Sequence, residues 1–195
     1  IGVSLLIMRL MNIVGVEVIN LYSHQSTMIN GVRSKMRAFR RVLLQSPTGS
    51  GKTVMALFII KSAIEKGNTC FFICHRRELI NQTAGTFKKN GLDFGVIAAG
   101  HKKEYDKKIQ ICSIDTLKNR LDEIPLPNLC IWDECQHIAA NGWSKTQNHF
   151  DKAYHIGLSA TPSRLSGEGL DAHFDDIVLG PPVRWLIDND FLAEY

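Results

Sequence analysis

Ser46-Pro47-Thr48-Gly49-Ser50-Gly51-Lys52-Thr53 lies between an apolar run, Val42-Leu43-Leu44, and a longer one, Val54 to Ile60. The first run reads as a buried strand and the second as a helix. Strand, glycine-rich turn, Lys-Thr and helix is the layout that cradles the phosphates of a nucleoside triphosphate. Thr48, Gly49, Ser50 and Gly51 let successive backbone N–H groups converge on one phosphate, and the helix N-terminus adds its dipole. Lys52 is placed to reach the β- and γ-phosphates, and the Thr53 hydroxyl to bind Mg²⁺. Ser46 stands where the pattern usually has glycine.

Outward from this loop, apolar strand-like runs alternate with helical ones. Arg41–Gln45 is read as the first strand, and the helix after the loop runs to about Glu65. Thr69–Cys74, Phe94–Ala98, Ile109–Ser113, Leu129–Trp132 and His155–Leu158 are further strands. Helices are expected over about Leu21–Met36 with Ser23 as N-cap, and over Glu78–Asn90, Asp115–Leu121 and Val183–Asn189. Most of these strands are apolar throughout, as in a sheet covered on both faces. The class is therefore α/β, layered around a mainly parallel sheet. Ligands of such sheets bind beyond the carboxyl ends of the strands.

The chain has 195 residues, 45% hydrophobic and 22% charged, enough for one domain with a sizeable core. Its net charge of +4 is a weak pointer to a polyanion. Arg33, Lys35, Arg37, Arg40 and Arg41 form a basic run without an acid; a solvated face and a binding patch both account for it. Five cysteines, an odd number, with Cys70, Cys74, Cys112 and Cys130 in apolar runs, argue against a disulfide framework and for a reducing, cytoplasmic setting. No run is long enough to span a membrane. Residues 1–20 are treated as an N-terminal extension, and residues 21–195 as the domain.

Asp133-Glu134 ends the apolar strand Leu129-Cys130-Ile131-Trp132. Two acids there are costly unless they serve a cation or a reaction. Asp133 suits Mg²⁺, and Glu134 suits the activation of an attacking water. The plainer alternative is that one of them caps the next helix.

With Ser159-Ala160-Thr161-Pro162 added, three motifs in this order resemble the first RecA-like domain of a superfamily 2 helicase. The resemblance covers about Leu21 to Tyr195. It is nearest to the DEAD/DEAH-type group that includes helicase subunits of type III restriction enzymes and phage-type helicases. It implies a three-layer P-loop NTPase fold, ATP and Mg²⁺ as ligands, and a nucleic-acid partner, DNA favoured over RNA. It also implies roles for individual residues. Lys52 and Glu134 become catalytic, and Gln25 reads the adenine edge, the alternative being a surface glutamine. His75, Arg76, Arg77, Ser113 and Thr116 contact nucleic-acid phosphates, although Ser113 or Asp115 also suits a helix cap. Ser159 and Thr161 couple hydrolysis to movement through Gln136 or His137, with His137 equally readable as structural. Arginines of a second RecA-like lobe, not encoded before Tyr195, complete such sites, so weak turnover is expected of residues 1–195. A nucleotide-gated binding module without motor action is the alternative. A phosphate-loop kinase leaves the Ser159 and His75 motifs without a role.

Overall fold

A computed structural model describes residues 20–75, 77–137, 143–161 and 170–193, with the backbone alone at Arg77. The expected N-terminal extension therefore lies outside the described residues except for Asn20. The elements, in chain order, are α1 (Ser23–Lys35), β1 (Arg41–Gln45), α2 (Lys52–Glu65), β2 (Cys70–Cys74), α3 (Arg77–Lys89), β3 (Gly95–Ile97) and β4 (Ile109–Ser113). Then come α4 (Ile114–Leu117), a 3₁₀ turn at Leu121–Glu123, β5 (Leu129–Trp132) and a second 3₁₀ turn at Cys135–His137. The chain closes with α5 (Trp143–His149), β6 (Tyr154–Ser159), β7 (Asp176–Leu179) and α6 (Val183–Asp188).

The strands form one sheet in the order β3-β4-β2-β5-β6-β1-β7, and every pairing is parallel. Alternate residues of each strand face opposite sides, so each apolar strand feeds two cores. Val42, Leu44, Phe72, Ile111, Ile131, Ile156 and Leu158 pack on one face, under Met28, Ile29 and Val32 of α1, Met55 and Ile60 of α2, and Ile80 and Phe87 of α3. Leu43, Phe71, Ile73, Cys112, Cys130 and Trp132 pack on the other, against Leu117, Trp143, Phe150 and Phe174. The result is the three-layer arrangement expected of strands with no polar face. All five cysteines are buried and unbridged. Among the described residues, no helix is long and apolar enough to cross a membrane.

Three local expectations are corrected. Ser23 is the first helical residue of α1, and the cap is Tyr22, because Gln25 Oε1 accepts from the Tyr22 N–H at 3.0 Å and closes that end. The helix expected over Asp115–Leu121 is a four-residue α4, with a 3₁₀ turn beginning only at Leu121. Strand β7 and helix α5 had not been expected from the sequence. Both are short, and β7 lies at the sheet edge, where half-exposed positions blur the apolar pattern.

Strand order places the motifs. The pairings Cys74↔Ser113, Ile73↔Trp132, Trp132↔Gly157 and Gln45↔Ser159 bring the carboxyl ends of β4, β2, β5, β6 and β1 out side by side.

Candidate nucleotide site

The phosphate loop leaves β1 on the sheet's own ladder, with Ser46 N donating to the Ser159 carbonyl at 3.0 Å. It then turns on Gly49 (φ 83°) and Gly51 (φ 86°), left-handed angles that other L-residues adopt only under strain. Gly51 caps α2, and Lys52 and Thr53 open its first turn. Lys52 is 9% exposed, and its Nζ donates to the Ser46 and Pro47 carbonyls at 3.0 and 3.3 Å. Burial lowers its pKa, while Glu134 and Asp133 oppose that shift. The ammonium is thus pinned inside the loop, ready to exchange carbonyl partners for an anion. The Ser46 and Ser50 hydroxyls are buried without a hydrogen-bond partner in the same loop. Orphaned donors around an ammonium fit a phosphate-sized anion.

The serine in place of the first glycine is accommodated by Gly180, just beyond β7. A Cβ on Gly180 would lie 2.6 Å from Ser46 Oγ, so the space saved there makes room for the serine.

Asp133 continues the β2–β5 ladder through its N–H to the Ile73 carbonyl, 2.9 Å. Its carboxyl is pushed up to about 6 by burial and then by Glu134, with Lys52 opposing. Glu134 follows with φ 51°, a left-handed conformation rare outside glycine and a local strain. That turn aims its carboxylate back at the short 3₁₀ segment, where Gln136 Nε2 donates to Glu134 Oε2 at 2.6 Å. Ser159 Oγ in turn lies 2.7 Å from Gln136 Oε1 and accepts from Thr161 N at 3.1 Å. Gln45 Nε2 ties the same segment to β1 through the Ala160 carbonyl, 2.9 Å. A continuous chain therefore runs Glu134–Gln136–Ser159–Thr161. Of the two expected links, the structure uses Gln136. The His137 ring instead faces that of His75, centroids 4.4 Å apart at 31°.

Gln25 is 3% exposed, so it is not a surface glutamine. Besides Tyr22, its amide donates from Nε2 to the Ser50 carbonyl at 3.0 Å. A Cβ on Gly51 would fall 2.3 Å from that nitrogen, so glycine is what admits the contact. An amide has two donors and two lone pairs, so one of each remains beyond these bonds. Sequence reasoning missed what surrounds Gln25. His24 packs against Phe191 (ring centroids 4.6 Å) and Trp185 (6.0 Å), and Tyr22 against Phe191 (4.8 Å). Leu192 covers Gly49, where an added Cβ would meet its Cδ2 at 2.6 Å. Nothing local in the sequence signals that residues 185–192 return to the phosphate loop.

Of the residues expected to touch nucleic acid, His75 follows β2 half-buried and Ser113 ends β4, 9% exposed. Ser113 occupies the cap position of α4 without a side-chain bond, and Asp115 pairs instead with Lys118 at 2.7 Å. Thr116 lies on α4, half-buried, Arg77 opens α3, and Arg76 is outside the described residues. The edge thus carries the two groups of motifs at its two ends, with Asp133-Glu134 between them.

A family model described as type III restriction enzyme, res subunit, matches residues 18–164. The "51.5 kDa protein" of a Lactococcus phage (isolate 7-9) is 35% identical over 153 residues, covering 78% of this chain and 31% of that protein. The "DNA 3'-5' translocase XPB2" of Sulfurisphaera tokodaii is 34% identical over 133 residues, 66% of this chain and 29% of that one. The UvsW helicase structure from bacteriophage T4 superposes with a TM-score of 0.65 at 17% identity, over 81% of this chain and 59% of that chain. At that identity the likeness speaks for the fold. The chain spans about a third of the length of the curated relatives it matches.

Proposed function

The chain belongs to the type III restriction enzyme res-subunit family and is built as the first RecA-like domain of a superfamily 2 helicase; from that premise we propose that it is the ATP-binding lobe of a motor that hydrolyses ATP to move on nucleic acid. The observation that carries this reading is the hydrogen-bonded chain from Glu134 through Gln136 to Ser159. It joins an acid placed for hydrolysis to the segment that would report hydrolysis to the rest of the lobe.

Loop amides and Lys52 bind and orient the β- and γ-phosphates, and Lys52 neutralises charge that builds there. Glu134 accepts the proton of a water held in line with the γ-phosphate, its carboxylate aimed by the Gln136 amide. Thr53 and Asp133 would hold Mg²⁺, which supplies electrostatic stabilisation of the phosphates when bound. Both are hard oxygen donors, and they are only two. That suits a cation that keeps several waters and leans on substrate phosphates. Gln25 would read adenine with its remaining donor and acceptor. His75, Arg76, Arg77, Ser113 and Thr116 would take the nucleic-acid backbone. DNA is favoured, supported by a relative named as a DNA translocase.

The test is ATP turnover in the full-length protein, titrated with single-stranded DNA, duplex DNA and RNA. Glu134→Gln is expected to keep ATP binding and to lose hydrolysis. Lys52→Ala is expected to lose ATP binding with the fold intact. Unchanged affinity of Lys52→Ala for labelled ATP would show the loop assignment to be wrong.

A further inference from the structure

The sheet has a second edge, at the amino ends of its strands, and the nucleotide reading makes no use of it. A cavity of about 490 Å³ opens there between the carboxyl ends of α1 and α2 and the starts of β5 and β6. Its rim carries Arg33, Arg37, Lys66 and Lys152, and no acidic residue lines it. All four cations are exposed. Among the described residues none has a carboxylate partner; Arg33 bonds the Ser62 hydroxyl at 3.2 Å and lies over the Phe58 ring at 5.5 Å. The basic run noted in the sequence has therefore split. Lys35 is tied to Asp176 at 2.6 Å, while Arg33 and Arg37 face the cavity.

The floor is apolar, with Val32, Met36, Ile59 and Ile156. One wall is Tyr154, 41% exposed, with the Arg40 guanidinium over its ring at 5.1 Å. Arg40 takes one face of the ring, and the exposed remainder of the tyrosine is an aromatic surface on which a base can stack. Basic groups at a rim and an aromatic in the wall are what a single-stranded nucleic acid needs; Asn68 Nδ2 is bonded to the Ala63 carbonyl and Asn128 Oδ1 to Thr69, so these amides offer only their other ends. Phosphates take the cations and a base stacks on the ring. A duplex would offer phosphates but no free base face.

We propose that this groove is a second nucleic-acid site, on the sheet edge opposite the phosphate loop, and that it holds a single-stranded segment. The site rests on the groove's charge and shape, and stands apart from the nucleotide reading. Strands of four to six residues, at about 3.3 Å each, separate the edges by roughly 10–20 Å. A strand held in the groove is thus a contact additional to the one at His75 and Ser113.

The test is fluorescence anisotropy of a labelled oligothymidylate with residues 1–195, without nucleotide, between about 50 and about 200 mM salt. The variant Lys66→Glu/Lys152→Glu changes two exposed side chains without an ion-pair partner among the described residues, so its fold should survive. Its affinity is expected to fall at least about tenfold, with the log–log salt slope flatter by about 1.4, the release expected for two single-strand phosphate contacts. Tyr154→Leu should weaken binding without changing the slope. An oligonucleotide carrying 5-iododeoxyuridine should crosslink to Tyr154. An unchanged affinity and slope in the double variant would overturn the proposal. So would crosslinks confined to residues 75–77 and 113–116, which would leave the opposite-edge reading standing. So, too, would binding of a polyglutamate peptide in place of the oligonucleotide. A crosslink at Tyr154 with none at the other edge would support the groove and count against the His75 and Ser113 contacts.

Discussion

His155 is fully buried in β6, accepting from Trp132 Nε1 at Nδ1 (3.0 Å), with Nε2 3.0 Å from the Phe150 carbonyl. A proton on Nδ1 would face another N–H. Burial above all holds its pKa down, to about 4. Asp133 is shifted the other way, to about 6. The unfolded chain binds the histidine proton more readily, so the His155 contribution rises with pH between about 4 and 6.5. The folded chain binds the Asp133 proton more readily, so that contribution falls between about 4 and 6. Each is worth ~3 kcal/mol, and they oppose each other in one pH window. In chelator-containing buffer, Asp133→Asn should therefore gain up to ~3 kcal/mol at neutral pH. Its stability should climb steeply from pH ~4 to ~6.5, where the parent is nearly level. Urea unfolding across that range decides it, and a level profile for the variant would count against the assignment. A site residue that costs stability is what a functional carboxylate looks like. Asp133-Glu134 was legible because charge ending an apolar strand is conspicuous. The left-handed turn at Glu134 was not, because only the packed 3₁₀ segment imposes it.

At the scale of elements, the contact between α1 and the phosphate loop is the least expected. Gln25 satisfies the first backbone N–H of one element and a carbonyl of the other. Gln25→Ala leaves both unpaired and should cost about 1–3 kcal/mol in the nucleotide-free protein, read from urea midpoints. No loss of stability would leave Gln25 with a ligand role alone. Gly51→Ala meets both a left-handed φ and the Gln25 amide, and should cost a similar ~1–3 kcal/mol and loosen the loop. The central strands were readable because their apolar runs are nearly continuous. Arg41–Gln45 and Ile109–Ser113 match their expected bounds. β7 and α5 were not, since β7 is half-exposed at the sheet edge and α5 is mostly polar, and the helix expected over Asp115–Leu121 ends four residues sooner, at Leu117.

For the molecule as a whole, one edge of the sheet collects the phosphate loop, the acidic pair and the Ser159 segment, and the opposite edge carries the basic groove. We propose that a second lobe supplies arginines to the first edge, in keeping with relatives of which the match covers 31% and 29%. An arginine supplied in this way is worth ~10³–10⁵ in rate. Residues 1–195 alone should then bind ATP weakly and turn it over very slowly, measured as phosphate release with and without nucleic acid. Robust nucleic-acid-stimulated turnover by this segment would refute the need for a partner lobe.

By itself the sequence determined the three-layer class, the phosphate loop and the acidic pair. These depend on local period, on glycine's freedom at positive φ, and on the cost of charge at the end of an apolar strand, all of which a linear chain displays. Only the tertiary structure decided that Gln136 and not His137 joins Glu134 to Ser159. It alone brought Gly180 to make room for Ser46, and Leu192 to cover Gly49. It also turned half of a basic run into a groove and tied Lys35 to Asp176. Those outcomes depend on strand order and on which side chains meet across the sheet, and no spacing along the chain encodes that distance.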